Sequence, residues 1–315
     1  FLLSFDKLKL HLAFIQFDMQ ELYLMPFLLM FLFLAVFGMT VMGGRVFCGW
    51  VCPQTAFRAI YRDLIETAIL GMRKNIKNKQ KEPDMTLRKN KIKKAIAILI
   101  AFLAAHLAAA NFVWFFVPPE DFFAYLADYE NHWTMIGIVI AIAAFLVYDI
   151  VFLKEDFCAY ICPYSRIQSV LYDEHTVMSL YNTNRGGHIY DENHEKQYTK
   201  QKDLQADEPN AECTACEACV VICPTHIDIR KGLQLECINC LECVDACTTV
   251  MGKLGKPSLV TWSSEYEVID KKGKTKFFRG KILGYIGILI GLMVILGIMG
   301  SEKENMLLNI NKEGR

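Results

Sequence analysis

Four long apolar stretches interrupt an otherwise polar chain, at residues 22–42, 95–117, 134–153 and 282–300. Each is close to the length of about 20 residues that a helix needs to cross a bilayer core. The ionisable side chains within them are His106 and Asp149. One soluble core rarely contains four such stretches, so the pattern predicts four membrane-spanning helices. We expect His106 to hydrogen-bond a neighbouring helix and Asp149 to pair with a basic residue such as Lys154, or to reach water.

The charge of the connecting segments predicts the orientation of these helices. Residues 45–94 carry 13 Lys or Arg against 4 acids, whereas residues 118–133 carry four acids and no Lys or Arg. Cytoplasmic loops are the ones enriched in Lys and Arg. We therefore place residues 45–94 and 154–281 in the cytoplasm, and both chain ends on the periplasmic side. The lysines between Arg73 and Lys94 are predicted to bind anionic membrane lipid.

Composition excludes two broad classes of protein. Lys+Arg and Asp+Glu both count 34, and this balance argues against a nucleic-acid-binding protein, which needs a basic excess. A hydrophobic fraction of 53% and a mean hydropathy of +0.24 argue against disorder. The chain begins at Phe1 without an initiator Met, which we interpret as part of a longer protein.

All 12 cysteines fall in the predicted cytoplasmic segments. That compartment is reducing, so metal ligation is favoured over disulfide bonds. Eight of them form the run C-x2-C-x2-C-x3-C, which occurs twice at a spacing of 24 residues: Cys213, Cys216, Cys219 and Cys223, then Cys237, Cys240, Cys243 and Cys247. Structural zinc sites favour paired C-x2-C with longer gaps. The run is instead that of a bacterial ferredoxin with two clusters, in which the fourth cysteine ligates the other cluster.

This crossing rule predicts the ligands of two [4Fe–4S] clusters. The first cysteine set is Cys213, Cys216, Cys219 and Cys247, and the second cysteine set is Cys237, Cys240, Cys243 and Cys223.

The other four cysteines form a second repeat, F-C-x3-C-P, which follows the first and the third apolar stretch. They are Cys48, Cys52, Cys158 and Cys162, and we call them the thiol site. A proline after each pair predicts a helix start, whose positive field lowers a thiol pKa. Four thiolates would select Cu(I), zinc or an iron–sulfur cluster, and the alternative is packed, inert thiols. We predict one redox site that handles copper.

These motifs together resemble the CcoG (FixG/RdxA) family of cytochrome c oxidase accessory proteins. The matching residues lie at 45–55, 157–169 and 219–240, and in the V-M that follows Cys247. The resemblance implies an inner-membrane polyferredoxin that serves assembly of the cbb-type oxidase and reduces Cu(II) to Cu(I) for its copper site. It also implies a cytoplasmic electron donor, oxidase assembly factors as partners, one further N-terminal span and a periplasmic immunoglobulin-like domain. Thr248 stands where that family leads us to expect an acidic residue.

A second hypothesis is an electron-transfer subunit similar to the NapH-type quinol dehydrogenase, which would use the same ferredoxin. A third is a structural scaffold whose clusters only stabilise the fold.

The predicted fold is an α-helical polytopic membrane protein with an inserted α+β ferredoxin domain of the bacterial two-cluster type. Its segments are an outer stub with the first span (1–44), a basic loop (45–94), two spans (95–153), a segment with the second C-x3-C-P pair (154–204), the ferredoxin domain (205–260), a linker (261–281), the fourth span (282–300) and an outer tail (301–315).

The charge asymmetry yields a topology prediction. In intact cells, a membrane-impermeant maleimide should label Ile310→Cys without lysis, because the tail lies outside the cytoplasm. Lys202→Cys, in the predicted cytoplasmic segment, is the matched control and should react only after lysis. Labelling of residue 310 only after lysis would reverse the orientation.

Overall fold

The computed structural model describes residues 2–4, 9–12, 15–18, 24–73, 78–114, 116–191 and 193–301. Residues 302–315, which include nearly all of the predicted outer tail, lie outside the described residues. Within the predicted outer stub, three short strands form an antiparallel sheet in the order β1 (Leu2–Ser4), β2 (Lys9–Leu12) and β3 (Ile15–Asp18). Leu3 pairs with Leu10, and Leu10 with Phe17.

The described helices, in chain order, are α1 (Leu24–Gly43), α2 (Val46–Trp50), α3 (Pro53–Ala59), α4 (Arg88–Val113), α5 (Pro119–Ala127), α6 (Trp133–Tyr148), α7 (Pro163–Leu171), α8 (Thr183–Gly186), α9 (Gln201–Asp207), α10 (Ala218–Val221), α11 (Glu242–Lys253), α12 (Glu265–Val268) and α13 (Gly280–Ser301). Segments of π-helix continue α3 (Ile60–Ile69) and α6 (Asp149–Leu153), and a third one lies at Phe157–Ile161. Strands β4 (Met178–Tyr181) and β5 (Val260–Ser263) pair antiparallel.

Four of these helices are long and apolar enough to cross a membrane, which confirms the predicted spans. They are α1, α4, α6 with its π-helical extension, and α13. Helix α4 begins at Arg88, before the predicted start at residue 95, because long basic side chains can continue a helix while their charges stay in water. Most side chains of the four helices face away from the protein, as contact with lipid requires.

Small residues bring α4 and α6 together. Ala97, Ala101, Ala105 and Ala109 recur every four residues on α4 and are buried. Ala105 and Ala109 pack against Ala143 of α6. Small side chains allow two membrane helices to approach closely, so that van der Waals contacts hold the pair. Helix α1 packs against α13.

The cysteine-bearing segments gather at one end of the four helices. Arg279, just before α13, donates from Nη2 to the carbonyl oxygen of Val41 near the end of α1, at 2.8 Å. Arg58 of α3 donates from Nη1 to the carbonyl oxygen of Ile150, at 3.2 Å, where the third span ends. Lys93 of α4 donates to the carbonyl oxygen of Gly71 at 3.2 Å. These contacts place the end of α1 and of α6, and the start of α4 and of α13, on the same side.

The ferredoxin unit is wider than the predicted range 205–260. Strand β4 lies before that range, yet it pairs with β5, with Tyr181 opposite Val260. Leu204 is also buried in the core of this unit, next to Met251. The predicted boundary at residue 205 therefore falls inside the unit, because strand pairing of distant segments leaves no local signal in the sequence.

The basic residues predicted to bind lipid differ in their environments. Lys79 is buried and pairs with Glu242, and Lys94 pairs with the buried carboxylate of Glu66. Arg73 lies 3.9 Å from the same carboxylate of Glu66. These three cations are engaged by carboxylates of the protein, and lipid binding by the lysines of this loop stays a prediction.

The two ionisable residues within the spans also depart from expectation. His106 Nδ1 lies 2.8 Å from the carbonyl oxygen of Phe102 on its own helix, not on a neighbouring one. Asp149 is buried, and its Oδ1 has no hydrogen-bond partner among the described residues. Lys154 pairs with Glu82 at 2.7 Å. The proposed pairing of Asp149 with Lys154 is therefore wrong, since Lys154 is already engaged.

The contact between α4 and α6 yields a stability prediction. Ala109→Leu adds volume at a fully buried position and should lower the free energy of unfolding by about 1–3 kcal/mol. Leu107→Ala on the outward face of the same helix, where the side chain is 74% exposed, is the control and should change it little. Denaturant unfolding in detergent micelles measures both, and equal effects would contradict the packing.

Candidate metal centres

The two ferredoxin loops repeat in backbone conformation as well as in sequence. Ala215 and Glu217 of the first loop have φ of 52° and 57°, and Asn239 and Leu241 of the second have 54° and 66°. Each pair flanks the middle cysteine of its loop, and the two pairs stand 24 residues apart. Alternation of right- and left-handed residues turns successive N–H groups inward and forms a concave anion site, of the kind found around iron–sulfur clusters. The loops are therefore shaped to enclose a cluster whose thiolates carry negative charge.

The structure brings the first cysteine set together across the repeat. One cavity is lined by all four of its members, Cys213, Cys216, Cys219 and Cys247. Cys219 lies on α10 and Cys247 on α11, and these two helices pack against each other. Apolar side chains such as Met251 and Val260 complete the lining.

The second cysteine set assembles in the complementary way. The thiols of Cys237, Cys240 and Cys243 each interact electrostatically with Cys223, which follows α10. Cys223 therefore faces the loop of the other half, as the crossing rule requires. The residues present fit two clusters, and their assignment as ligands stays a prediction.

Burial governs the protonation of these thiols. It raises the pKa of Cys237 to about 11 and that of Cys219 and of Cys240 to about 12. At neutral pH the metal-free thiols are therefore protonated. Metal binding needs the thiolate, so loading of the clusters must release these protons.

The thiol site is built from two helix starts. Cys52 is the N-cap of α3 with Pro53 at the first helical position, and Cys162 with Pro163 plays the same part for α7. Both helices were predicted from the proline. The other member of each pair lies one turn earlier, Cys48 on α2 and Cys158 on the π-helical segment Phe157–Ile161.

The two halves of the thiol site lie together. The thiol of Cys158 interacts electrostatically with Cys48, Cys52 and Cys162. Cys48 Sγ donates to Oε1 of Gln168 at 3.3 Å, and Gln168 is a fully buried residue of α7, the helix that follows the second pair. The sequence predicted that both pairs form one site, and this side-chain bond links the first pair to the helix that follows the second.

The predicted lowering of thiol pKa does not apply to two of these four cysteines. Burial raises the pKa of Cys48 to about 11 and that of Cys158 to about 12, although the nearby Arg45 lowers the former. Neither residue is the N-cap of the helix that follows, so the field of the helix start acts on it from a greater distance. Burial outweighs the dipole at both positions, because transfer out of water penalises the charged form.

Among the described residues, no group of three or more His, Cys, Asp or Glu is arranged to hold a single metal ion. A tetrahedral zinc ion with bonds of about 2.3 Å would require its sulfurs to lie roughly 3.8 Å apart. A cube of four irons needs wider spacing, since each thiolate binds a different iron.

The second cluster loop lies directly on the first C-x3-C-P motif. A Cβ atom on Gly49 would lie 2.6 Å from the carbonyl oxygen of Ile238 and 3.0 Å from that of Asn239. Both residues stand between Cys237 and Cys240, so only glycine permits this approach. The cluster loop and the thiol site therefore share one interface.

Asn239 fixes that interface and was missed by sequence reasoning. Its Nδ2 donates to the carbonyl oxygen of Gly43 at 2.8 Å, where α1 ends. Its Oδ1 accepts from the backbone N–H of Ser179 at 3.0 Å and from the hydroxyl of Ser179 at 3.1 Å. A signal existed, because Asn is the polar residue that adopts positive φ most readily, whereas Ala215 stands at the same place in the first repeat.

A second clamp joins the ferredoxin unit to the basic loop. The backbone N–H of Lys79 donates to the carbonyl oxygen of Val221 at 2.8 Å, and Gln80 Nε2 donates to that of Val220 at 2.7 Å. Lys79 also pairs with Glu242, at the start of α11. Beside this clamp, one cavity is lined by both Cys158 of the thiol site and Cys240 of the second set.

Comparison with known proteins agrees with this architecture. A family model described as a 4Fe-4S dicluster domain matches residues 153–265, and one described as a 4Fe-4S binding domain matches residues 25–74. The nitrogen fixation protein FixG of Rhizobium meliloti (strain 1021) is 31% identical over 252 residues, which cover 79% of this chain and 45% of that protein.

Two proteins of Cereibacter sphaeroides are similar to the same degree. RdxA is 30% identical over 76% of this chain and 47% of its own length, and RdxB is 32% identical over 76% and 48%. The chain thus spans less than half the length of these relatives. No solved structure matches it.

The arrangement predicts which cysteines act together. Cys223→Ser should abolish the same EPR signal as Cys240→Ser, because both belong to the second set. Cys247→Ser should instead abolish the signal lost in Cys216→Ser. EPR of the reduced variants tests the pairing, and the intact signal in each variant is the internal control. If Cys223→Ser removed the signal of the Cys216 set, the crossing would be wrong.

Proposed function

Since this chain belongs to the FixG/RdxA family, we propose that it acts in assembly of the cbb-type cytochrome c oxidase and reduces Cu(II) to Cu(I) for the oxidase copper site. The chain is a membrane-bound iron–sulfur electron-transfer protein, as the matched models and the four spanning helices show. Within the proposal, the first and second cysteine sets hold one [4Fe–4S] cluster each. The ferredoxin unit faces the cytoplasm of a bacterial inner membrane, where a soluble donor reduces it.

One observation carries the proposal: the contact of Gly49 with the backbone of Ile238 and Asn239. It brings the loop of the second cluster against the helix that bears Cys48. An electron that reaches the second cluster therefore has the thiol site as its neighbour on the membrane side.

The acceptor follows from the chemistry of the thiol site. Thiolate is a soft ligand and selects Cu(I). Each Cu(II) ion would need one electron, which a cluster held by the second cysteine set would supply, and the Cu(I) product is the form that thiolates bind. Four thiols from two segments offer more ligands than Cu(I) needs, so the product can pass to an assembly factor of the oxidase by ligand exchange.

A second candidate is quinol oxidation, with the clusters as acceptors. This candidate is favoured by an apolar cavity that lies between α4, α6 and the helix that follows the first C-x3-C-P motif. Its lining includes Phe57, Tyr61, Ala105 and Leu146. In this candidate, copper binding by the four thiols would have no part in the chemistry.

Variants of the thiol site separate these functions. Cys52→Ala and Cys162→Ala should each keep both ferredoxin EPR signals and lose Cu(I) binding, measured by chelator competition on anaerobically purified protein. Loss of one pair should cost as much as loss of both, because the four thiols act as a unit. Tyr160→Phe, at an exposed position between Cys158 and Cys162, is the matched control and should bind copper normally.

Two other outcomes would change the assignment. If each pair alone kept half of the copper, the pairs would be independent sites. If neither variant changed copper binding, and quinol reduced the clusters, the second candidate would replace the first.

A further inference from the structure

Arg45 is a buried cation that pairs with no carboxylate among the residues that the structure describes. It precedes α2 and is 2% exposed. Its Nη2 donates to the carbonyl oxygen of Ser165 at 2.7 Å, while Nη1 has no hydrogen-bond partner among the described residues. Burial of an arginine is costly unless an anion compensates it. A carbonyl oxygen supplies only a partial charge, so the site calls for a further anion.

Thiols that give up their protons on metal binding would supply that anion. Arg45 lies within electrostatic reach of Cys48 in the thiol site and of Cys237 in the second set, and it lowers the pKa of both against the larger effect of burial. Tyr172 lies in the same environment and interacts with all three groups. Arg45 stands three residues before Cys48 and two after Gly43, whose carbonyl oxygen accepts from Asn239 at 2.8 Å. It is therefore close to both centres that the contact of Gly49 brings together.

Within the described part of the chain, no comparable unpaired charge lies beside the first cysteine set. Arg230 lies beside Cys219, but Asp228 binds its guanidinium at 2.6 Å and offsets its charge. Near the second set, Glu242 faces Cys240, and Lys79 pairs with that carboxylate. Within each of these pairs the opposite charges offset one another, and the charge of Arg45 remains near the second cysteine set.

We propose that Arg45 is a positioning residue for electron transfer, which raises the reduction potential of the second cluster above that of the first. A reduced cluster carries one more negative charge than an oxidised one, and a nearby cation stabilises the reduced form. The electron is thereby drawn from the first cluster to the second, next to the thiol site. This inference rests on the proposed cluster ligation, but not on the identity of the acceptor.

The test is an EPR-monitored redox titration of the whole chain in detergent, without copper. Arg45→Gln should lower the reduction potential of the second cluster by at least about 59 mV, which is a tenfold change in the equilibrium constant of a one-electron couple. The reduction potential of the first cluster should stay unchanged. Arg45→Lys keeps the charge and should restore most of the difference. Tyr172→Phe, which changes the same environment without changing charge, should leave both potentials as they are.

The outcomes separate this inference from the proposed function. An unchanged second potential in Arg45→Gln, or an equal fall in Arg45→Lys, would overturn it. If Arg45→Gln fails to assemble the second cluster, the potential of Arg45→Lys decides, and a value near that of the wild type supports the role of charge. Absence of both clusters from the wild-type protein would overturn the ligand assignment instead. If Arg45→Gln shifts the potential but the wild-type protein reduces no copper, the role of Arg45 stands and the proposal of copper as the acceptor is wrong.

Discussion

The hydrogen bonds of Asn239 hold this architecture together. One side chain, buried between two predicted cluster ligands, bonds the end of the first span through Gly43 and the strand of the ferredoxin unit through Ser179. Its positive φ is also the conformation that turns the loop around its cluster. Local loop geometry and the docking of the whole unit on the membrane helices therefore depend on the same residue, and Gly49 permits the close approach that results.

The docking of the ferredoxin unit on the membrane helices buries several cations, most of which have carboxylate partners. Cations at the junction are mostly paired, as Arg58 and Arg62 are with Glu155 at 3.1 and 2.7 Å. Arg62 also pairs with Asp63 at 2.8 Å, so two carboxylates offset these two cations. The pairs hold the turn that follows the third span against α3 and its π-helical continuation. Arg45 differs because its partner is a backbone carbonyl group. In a low-dielectric interior a charge acts over a longer distance than it does in water. Arg45, which pairs with no described carboxylate, is therefore suited to influence electron transfer.

Much of the fold followed from local patterns. The four spans were predicted because the length of an apolar run is a local property and the bilayer sets the scale. The prolines that begin α3 and α7 were equally legible, since proline fixes φ at a helix start. The boundary at residue 205 was wrong, because β4 joins the ferredoxin unit through pairing with a strand about 80 residues away. The lowered pKa predicted for Cys48 was wrong too, because burial depends on distant segments.

The sequence by itself determined the twelve cysteines and their spacing. That spacing also yields the prediction that Cys223 groups with Cys237 and Cys247 with Cys213. Cluster ligation demands particular spacings along the chain, so the spacing is readable without the fold. Only the tertiary structure decided how the predicted metal centres lie relative to one another. Three hydrogen bonds at this junction join residues more than 100 positions apart. They link Cys48 to Gln168, Asn239 to Gly43 and Arg45 to Ser165. Such contacts arise from packing, which brings together residues that no local pattern relates.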